Sequence, residues 1–389
     1  MSSFFNTGMS QQQFLDEYWQ KKPLLIRQAF VDFESPISPE DLAGLACEPE
    51  IESRLIEENG EEGPWQVTQG PFSEEDFARL PATNWTMLVQ DVDKHLPEFE
   101  SVLAPFHFIP DWRRDDLMIS YAPEHGTVGP HTDGYDVFLL QALGMRRWQI
   151  SDMPIMDAAI IDGLDVQILS EFTPDQTWDL QVGDMLYLPP HFAHHGVAMN
   201  DCMTYSIGFR APSQVDMLDA VVNAMLEQDL GKTRYNDADL TLSAHSAEID
   251  AQAIARLKAM LHQAIDNAEP ILANALGKFV TETKASLAAI VEESLTDLPT
   301  IEEVNLLFEQ GDILQKNVYC RFAWTANEQG GQLFLAGEVY PVTLKGVIHL
   351  ARLTEQHELT ITDWQQLKQD PQIADLLCQL IAEGGWFWL

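Results

Sequence analysis

Gly126-Thr-Val-Gly-Pro-His131-Thr-Asp133, followed by Gly183-Asp-Met-Leu-Tyr-Leu-Pro189-Pro-His-Phe-Ala-His194, is the pair of segments on which the fold turns. Residues i and i+2 of an extended chain project from the same side, so His131 and Asp133 can grip one ion together while a distant strand brings a second imidazole. Two imidazoles and one carboxylate are the facial set that holds Fe(II) and leaves coordination positions open. An isolated His-x-Asp triplet means little. Its weight here comes from the glycine-rich entry before it and from the Gly-Asp, Pro and His frame at barrel spacing. His191, His194 and His195 are all near enough to supply the third ligand. In a strand His195 faces away from His194.

The residues around these segments alternate. Leu117–Tyr121, Tyr135–Leu140, Arg146–Ile150, Asp184–Leu188 and Cys202–Phe209 read as short strands separated by Gly- and Pro-bearing turns. Many such strands predict a barrel or sandwich. Within Gly144-Met-Arg-Arg-Trp148 the alternation places Arg146, Trp148 and Ile150 on one apolar face, so Arg146 points inward. A buried guanidinium requires an anionic partner, and its planar fork suits a carboxylate. That carboxylate is either the far end of a bound keto acid such as 2-oxoglutarate or an internal salt bridge. Asp136, on the other side of the chain from Asp133, is expected to fix a loop.

Upstream, Gln11–Gln20 reads as a helix with Phe14 and Tyr18 on one face, and Lys22–Arg27 as an apolar strand. Ser38 with Pro39 and Asp41 starts a second helix ending near Ala46. Downstream of Arg210 the period changes to helical: Gln214–Leu230, Ile249–Asn267 and Ile271–Leu287, with a polar loop over residues 231–247. The apolar stripes of these helices are either ordinary core or a dimer interface. The last segment opens with a capping box at Thr300-Ile-Glu-Glu303. Strands at Val318–Trp324 and Gln332–Leu335 follow, joined by a hairpin, then helices at Leu344–Arg352, Asp363–Gln369 and Gln372–Glu383. This pattern suggests a winged helix, with too few basic residues for a DNA reader. Three domains are expected: 1–211, 212–299 and 300–389.

Composition sets limits. With 61 Asp and Glu against 22 Lys and Arg, the net charge of −39 repels phosphate backbones and disfavours direct nucleic-acid binding. It would attract a basic protein, or it serves solubility alone. Four scattered cysteines without a C-x-x-C pair suggest neither disulfides nor a zinc ribbon. No basic leader and no apolar run near eighteen residues is present, so a cytoplasmic location and no membrane are expected.

The chain resembles the JmjC/cupin 2-oxoglutarate oxygenases, specifically the bacterial ribosomal oxygenases. Asp115-Asp-Leu-Met-Ile-Ser-Tyr121, Val128–Phe138, Gly183–Pro190, Tyr205–Pro212 and Tyr18–Ile26 all carry the likeness. The likeness runs through nearly the whole chain and is nearest to the branch that hydroxylates an arginine of the sixteenth large-subunit ribosomal protein. It implies an α+β architecture: a double-stranded β-helix, a helical dimerisation region and a C-terminal winged-helix-like domain. Its second cupin motif selects His194, although the family's usual Gly is here His191. It also implies Fe(II), O₂ and 2-oxoglutarate, with His131, Asp133 and His194 as ligands and Arg146 on the keto acid. Asp116 would then pair with the substrate guanidinium, its stem between Met118 and Tyr135 with Ser206 nearby. The implied product is 3-hydroxyarginine in a basic ribosomal protein, made by a homodimer. The alternatives are the same chemistry on a histidine, an N-methyl-lysine or a tRNA base, and a non-catalytic cupin scaffold. A cupin isomerase would want further His ligands, which Asp133 argues against.

Overall fold

The computed structural model describes residues 4–58, 65–164, 166–210 and 212–389. The chain folds into two compact units, 1–211 and 212–389; Ala211, where the first expected domain ends, lies outside the described residues.

The first unit holds eleven strands among the described residues: β1 Leu24–Ile26, β2 Ser53–Glu58, β3 Trp65–Gln69, β4 Trp85–Val89, β5 Arg114–Ala122, β6 Asp136–Leu143, β7 Met145–Pro154, β8 Gln176–Gln181, β9 Met185–Leu188, β10 Phe192–Ala198 and β11 Cys202–Phe209. They form an eight-stranded sheet in the order β1-β9-β6-β11-β5-β4-β2-β3 and a three-stranded sheet in the order β10-β7-β8. Every pairing is antiparallel.

Alternation gives the large sheet two characters. One parity (Leu55, Met87, Val89, Leu117, Ile119, Phe138, Leu140, Tyr205, Ile207) is buried in an apolar core closed by Phe4, Phe14, Phe99 and Phe106. Phe4 stacks on Phe14 with ring centroids 4.1 Å apart. The helix carrying Phe14, Gln11–Glu17, starts at a Ser10–Gln13 capping box and ends earlier than its apolar spacing suggests, with Tyr18 as its cap. Asp136 anchors this N-terminal layer. It accepts hydrogen bonds from Gln20 Nε2 at 2.9 Å and Tyr187 Oη at 2.6 Å, and an ion pair from Arg113 at 3.2 Å.

In the second unit, helices Gln214–Glu227, Ala251–Ala268 and Leu272–Thr281 precede a mixed segment. The third helix stops at Thr281, six residues short of the expected end. The Thr281 hydroxyl turns back to donate to the Gly277 carbonyl and accepts from the Gly337 amide, and Glu282 is extended. The Thr300–Glu303 capping box is present and opens helix Ile301–Gln310.

Strands β12 Leu314–Lys316, β13 Phe322–Asn327, β14 Gly330–Leu335, β15 Glu338–Thr343, β16 Glu358–Leu359 and β17 Trp386–Trp388 make two three-stranded sheets, β16-β12-β17 and β13-β14-β15. The expected strand over Val318–Trp324 begins only at Phe322, because Asn317 instead anchors a turn, accepting from the Tyr319 amide. Residues 346–349 form a tight 3₁₀ turn before helix Leu350–Glu355. Helices Ile361–Leu367 and Pro371–Ala382 bury Trp364, Leu367, Ile373 and Leu377 beside Phe308 and Trp386.

Candidate metal centre

The other parity of the large sheet faces the small sheet across a pocket with about 370 Å³ of space. Asp116, Met118 and Ser120 of β5 and Thr204, Ser206 and Gly208 of β11 line one wall; Arg146 and Trp148 of β7 and His194 of β10 line the opposite one. The Trp148 ring approaches the backbone of β10 closely, and a Cβ on Gly196 would sit 2.7 Å from its indole carbons. Glycine there is what admits the tryptophan.

His131 and His194 face each other across an antiparallel bridge. The His131 amide donates to the His194 carbonyl at 3.0 Å, and the His194 amide to the His131 carbonyl at 2.9 Å. Each imidazole is oriented from behind: Nδ1 lies 2.9 Å from the Gly129 carbonyl in His131 and 3.0 Å from the Phe192 carbonyl in His194. With Nδ1 carrying the proton, Nε2 offers its lone pair to the centre. Asp133 Oδ2 lies 3.9 Å from His131 Nε2 and 3.5 Å from His194 Nε2. One donor atom from each of the three residues falls within 4.8 Å of the others. Two ligands about 2.1 Å from an ion are roughly 3.0–3.6 Å apart at facial angles, so small side-chain adjustments close this set on a divalent cation. Burial, aided by the neighbouring His131, pushes His194 down to about 4. The ring is therefore neutral near pH 7, the form that binds metal.

His131 and Asp133 are not residues of one regular strand, as their spacing suggested. Residues 132–135 form a loop between the bridge and β6. Asp133 is instead held by its own carbonyl, which accepts from the His191 amide at 2.7 Å. His191 has φ +67°, a left-handed backbone that glycine adopts most easily. His195 points out of the pocket lining. Its Nε2 is buried without a hydrogen-bond partner among the described residues, and burial, with His131 and Arg146 adding to it, pushes it down to about 4.

Arg146 is 2% exposed, and its buried Nε and Nη2 meet no hydrogen-bond partner among the described residues. The internal salt bridge weighed from sequence does not engage these atoms. A cation left in this state is a cradle for a bound carboxylate. Asp116, Met118, Tyr135 and Ser206 all line the same pocket, with Tyr135 43% exposed at its mouth. Sequence reasoning missed Arg54 and Gln90, which line the pocket from β2 and from the end of β4. Period-2 alternation in residues 53–58 and 85–89 was the signal available.

Comparison with known proteins brings the chain into a family context. Residues 101–217 match the JmjC domain model and residues 259–387 the ROXA-like winged helix. The ribosomal protein uL16 3-hydroxylase of Escherichia coli is 33% identical over 96% of this chain and 96% of its own length. A probable ribosomal oxygenase from Haemophilus influenzae is 31% identical, covering 96% and 94%. The crystal structure of E. coli YcfD superposes with TM-score 0.82 at 32% identity, covering 98% of both chains. A YcfD structure holding cobalt and 2-oxoglutarate gives 0.79 at 31% identity, again over 98% of both.

Proposed function

This chain belongs to the JmjC ribosomal oxygenases, and from that premise we propose that it is an Fe(II)- and 2-oxoglutarate-dependent dioxygenase hydroxylating C3 of an arginine side chain in a large-subunit ribosomal protein. One observation carries the reading: the His131, Asp133 and His194 donors, the Arg146 guanidinium with Nε and Nη2 unpartnered among the described residues, and the Asp116 carboxylate converge on a single pocket.

Ferrous ion, with dioxygen and the keto acid, supplies the oxidising power to insert one oxygen into a C–H bond. His131, Asp133 and His194 would hold the ion through their three donor atoms. Arg146 would take the far carboxylate of 2-oxoglutarate on its buried Nε and Nη2, with the Trp148 indole beside it. Asp116 receives the substrate guanidinium, Met118 and Tyr135 flank its methylene stem, and Ser206 adds a hydroxyl.

The acidic surface suits a basic ribosomal protein and disfavours free nucleic acid. Among the described residues no helix is long and apolar enough to cross a membrane, and ribosomal substrates support a cytoplasmic location. Exposed Val215, Leu218, Val222 and Leu226 line one face of helix Gln214–Glu227, and Ile254, Leu257, Leu261 and Ile265 one face of helix Ala251–Ala268. These stripes support a homodimer built on residues 212–299, between a catalytic domain at 1–211 and a winged-helix-like domain at 300–389. Sedimentation should give a dimer at micromolar concentration, converted to monomer by Leu257→Asp with Leu261→Asp. A wild-type monomer would refute it.

The substrate reading is tested by incubating ribosomal proteins with the pure chain, ferrous salt and 2-oxoglutarate. Mass spectrometry should show one added oxygen on an arginine-containing peptide, absent with His131→Ala. Succinate formation without any oxidised ribosomal peptide would overturn the substrate while leaving the reaction class.

A further inference from the structure

The register of the large sheet sets Arg54 of β2 opposite Leu88 of β4, and Leu88 opposite Ser120 of β5. Arg54, Gln90 and Asp116 therefore share the pocket face across three adjacent strands. In the amide orientation that satisfies both neighbours, Gln90 Nε2 donates to Asp116 Oδ2 at 2.9 Å and Gln90 Oε1 accepts from Arg54 Nη2 at 3.0 Å. Arg54 Nε is buried with no hydrogen-bond partner among the described residues. The other oxygen of Asp116 lies against bare backbone: a Cβ on Gly208 would sit 3.3 Å from Oδ1 and 4.0 Å from the Tyr135 ring.

One carboxylate oxygen is thus tied to the wall, and the other abuts the glycine beside Tyr135. A guanidinium is read by a planar fork, so a carboxylate free to rotate would lose most of its selectivity. Binding sites hold such groups through a supporting layer of hydrogen bonds.

We propose that Arg54 and Gln90 are positioning residues that lock the plane of the Asp116 carboxylate, and that this relay determines the preference for a cationic arginine side chain. The proposal rests on the reading of Asp116 given above. The chain across three strands holds Asp116 at the orientation the substrate needs, and Gly208 leaves the room for it.

The test is steady-state kinetics of the full chain loaded with ferrous ion, on a uL16 peptide carrying the unmodified target arginine and on its citrulline counterpart. Gln90→Leu should raise KM for the arginine peptide about tenfold, within the range that lost positioning costs, and narrow the arginine-over-citrulline preference. KM for 2-oxoglutarate should stay at the wild-type value, a split that a general loosening of the barrel would not give. In an Asp116→Asn background, Gln90→Leu should add less than twofold, because contacting residues are non-additive.

Should Gln90→Leu fail to fold, Arg54→Lys, which keeps the cation without the planar fork, is measured instead and should give a smaller rise of the same kind. If Asp116→Asn raises the peptide KM but the Gln90 and Arg54 variants do not, or if their effects simply add to it, the relay is refuted while Asp116 keeps its role. If Asp116→Asn itself leaves the peptide KM unchanged, the reading of Asp116 falls, and the relay with it.

Discussion

The two faces of the eight-stranded sheet are made by the same strands and differ only in the parity of their residues. Leu117 and Ile119 of β5 are fully buried among phenylalanines, while Asp116, Met118 and Ser120 look into the pocket. Tyr205 and Ile207 of β11 are core; Thr204 and Ser206 are pocket. One parity encodes stability and the other encodes chemistry. The backbone ladder between them pairs the main-chain groups of neighbouring strands and lets a polar wall exist beside an aromatic core.

Substitutions should therefore separate along parity. The largest effect falls on the metal ligands: His131→Ala or Asp133→Ala should leave no measurable hydroxylation while the chain still unfolds cooperatively, checked by mass spectrometry beside a melting curve. Chelation of the wild type should do the same and be reversed by ferrous salt.

Next comes the core parity. Phe138→Ala removes a fully buried ring and should cost about 3–5 kcal/mol of stability. Its pocket-face counterpart Ser206→Ala should stay within about 0.5 kcal/mol. Chemical denaturation of both variants measures the contrast, and equal losses would erase the distinction between the faces.

Arg146→Met sharpens it further. Because the buried guanidinium lacks partners for Nε and Nη2, its removal should leave the melting temperature of the ligand-free chain equal or higher. KM for 2-oxoglutarate should rise steeply, and the keto acid should no longer raise the melting temperature as it does for wild type.

Tyr187→Phe strips a 2.6 Å donor from the buried Asp136 and should cost about 1–3 kcal/mol with little change in turnover.

Much of this organisation is written locally. The Ser38 and Thr300 capping boxes and the inward face of Arg146 each follow from a few neighbouring residues. What escaped depends on partners far along the chain. The helix after Ile271 overran because nothing local shows that Gly337 will donate to Thr281. The terminal Trp386-Phe-Trp388 becomes strand only because β12 is there to pair with it. Arg54, Gln90 and Asp116 are unremarkable singly, and their relation exists only through the register of β2, β4 and β5. The i, i+2 logic expected His131 and Asp133 on one strand; they meet in the pocket through a loop instead, where a histidine in a left-handed conformation supports the aspartate.

The reciprocal amide–carbonyl pair between His131 and His194 has a further consequence. Because main-chain bonds fix the two imidazoles, their ordering entropy is met when the polypeptide folds rather than when the cation arrives. The empty protein should then persist intact through iron starvation and regain turnover on resupply without new synthesis, so that availability of the metal throttles modification of the translation machinery within the lifetime of a single molecule.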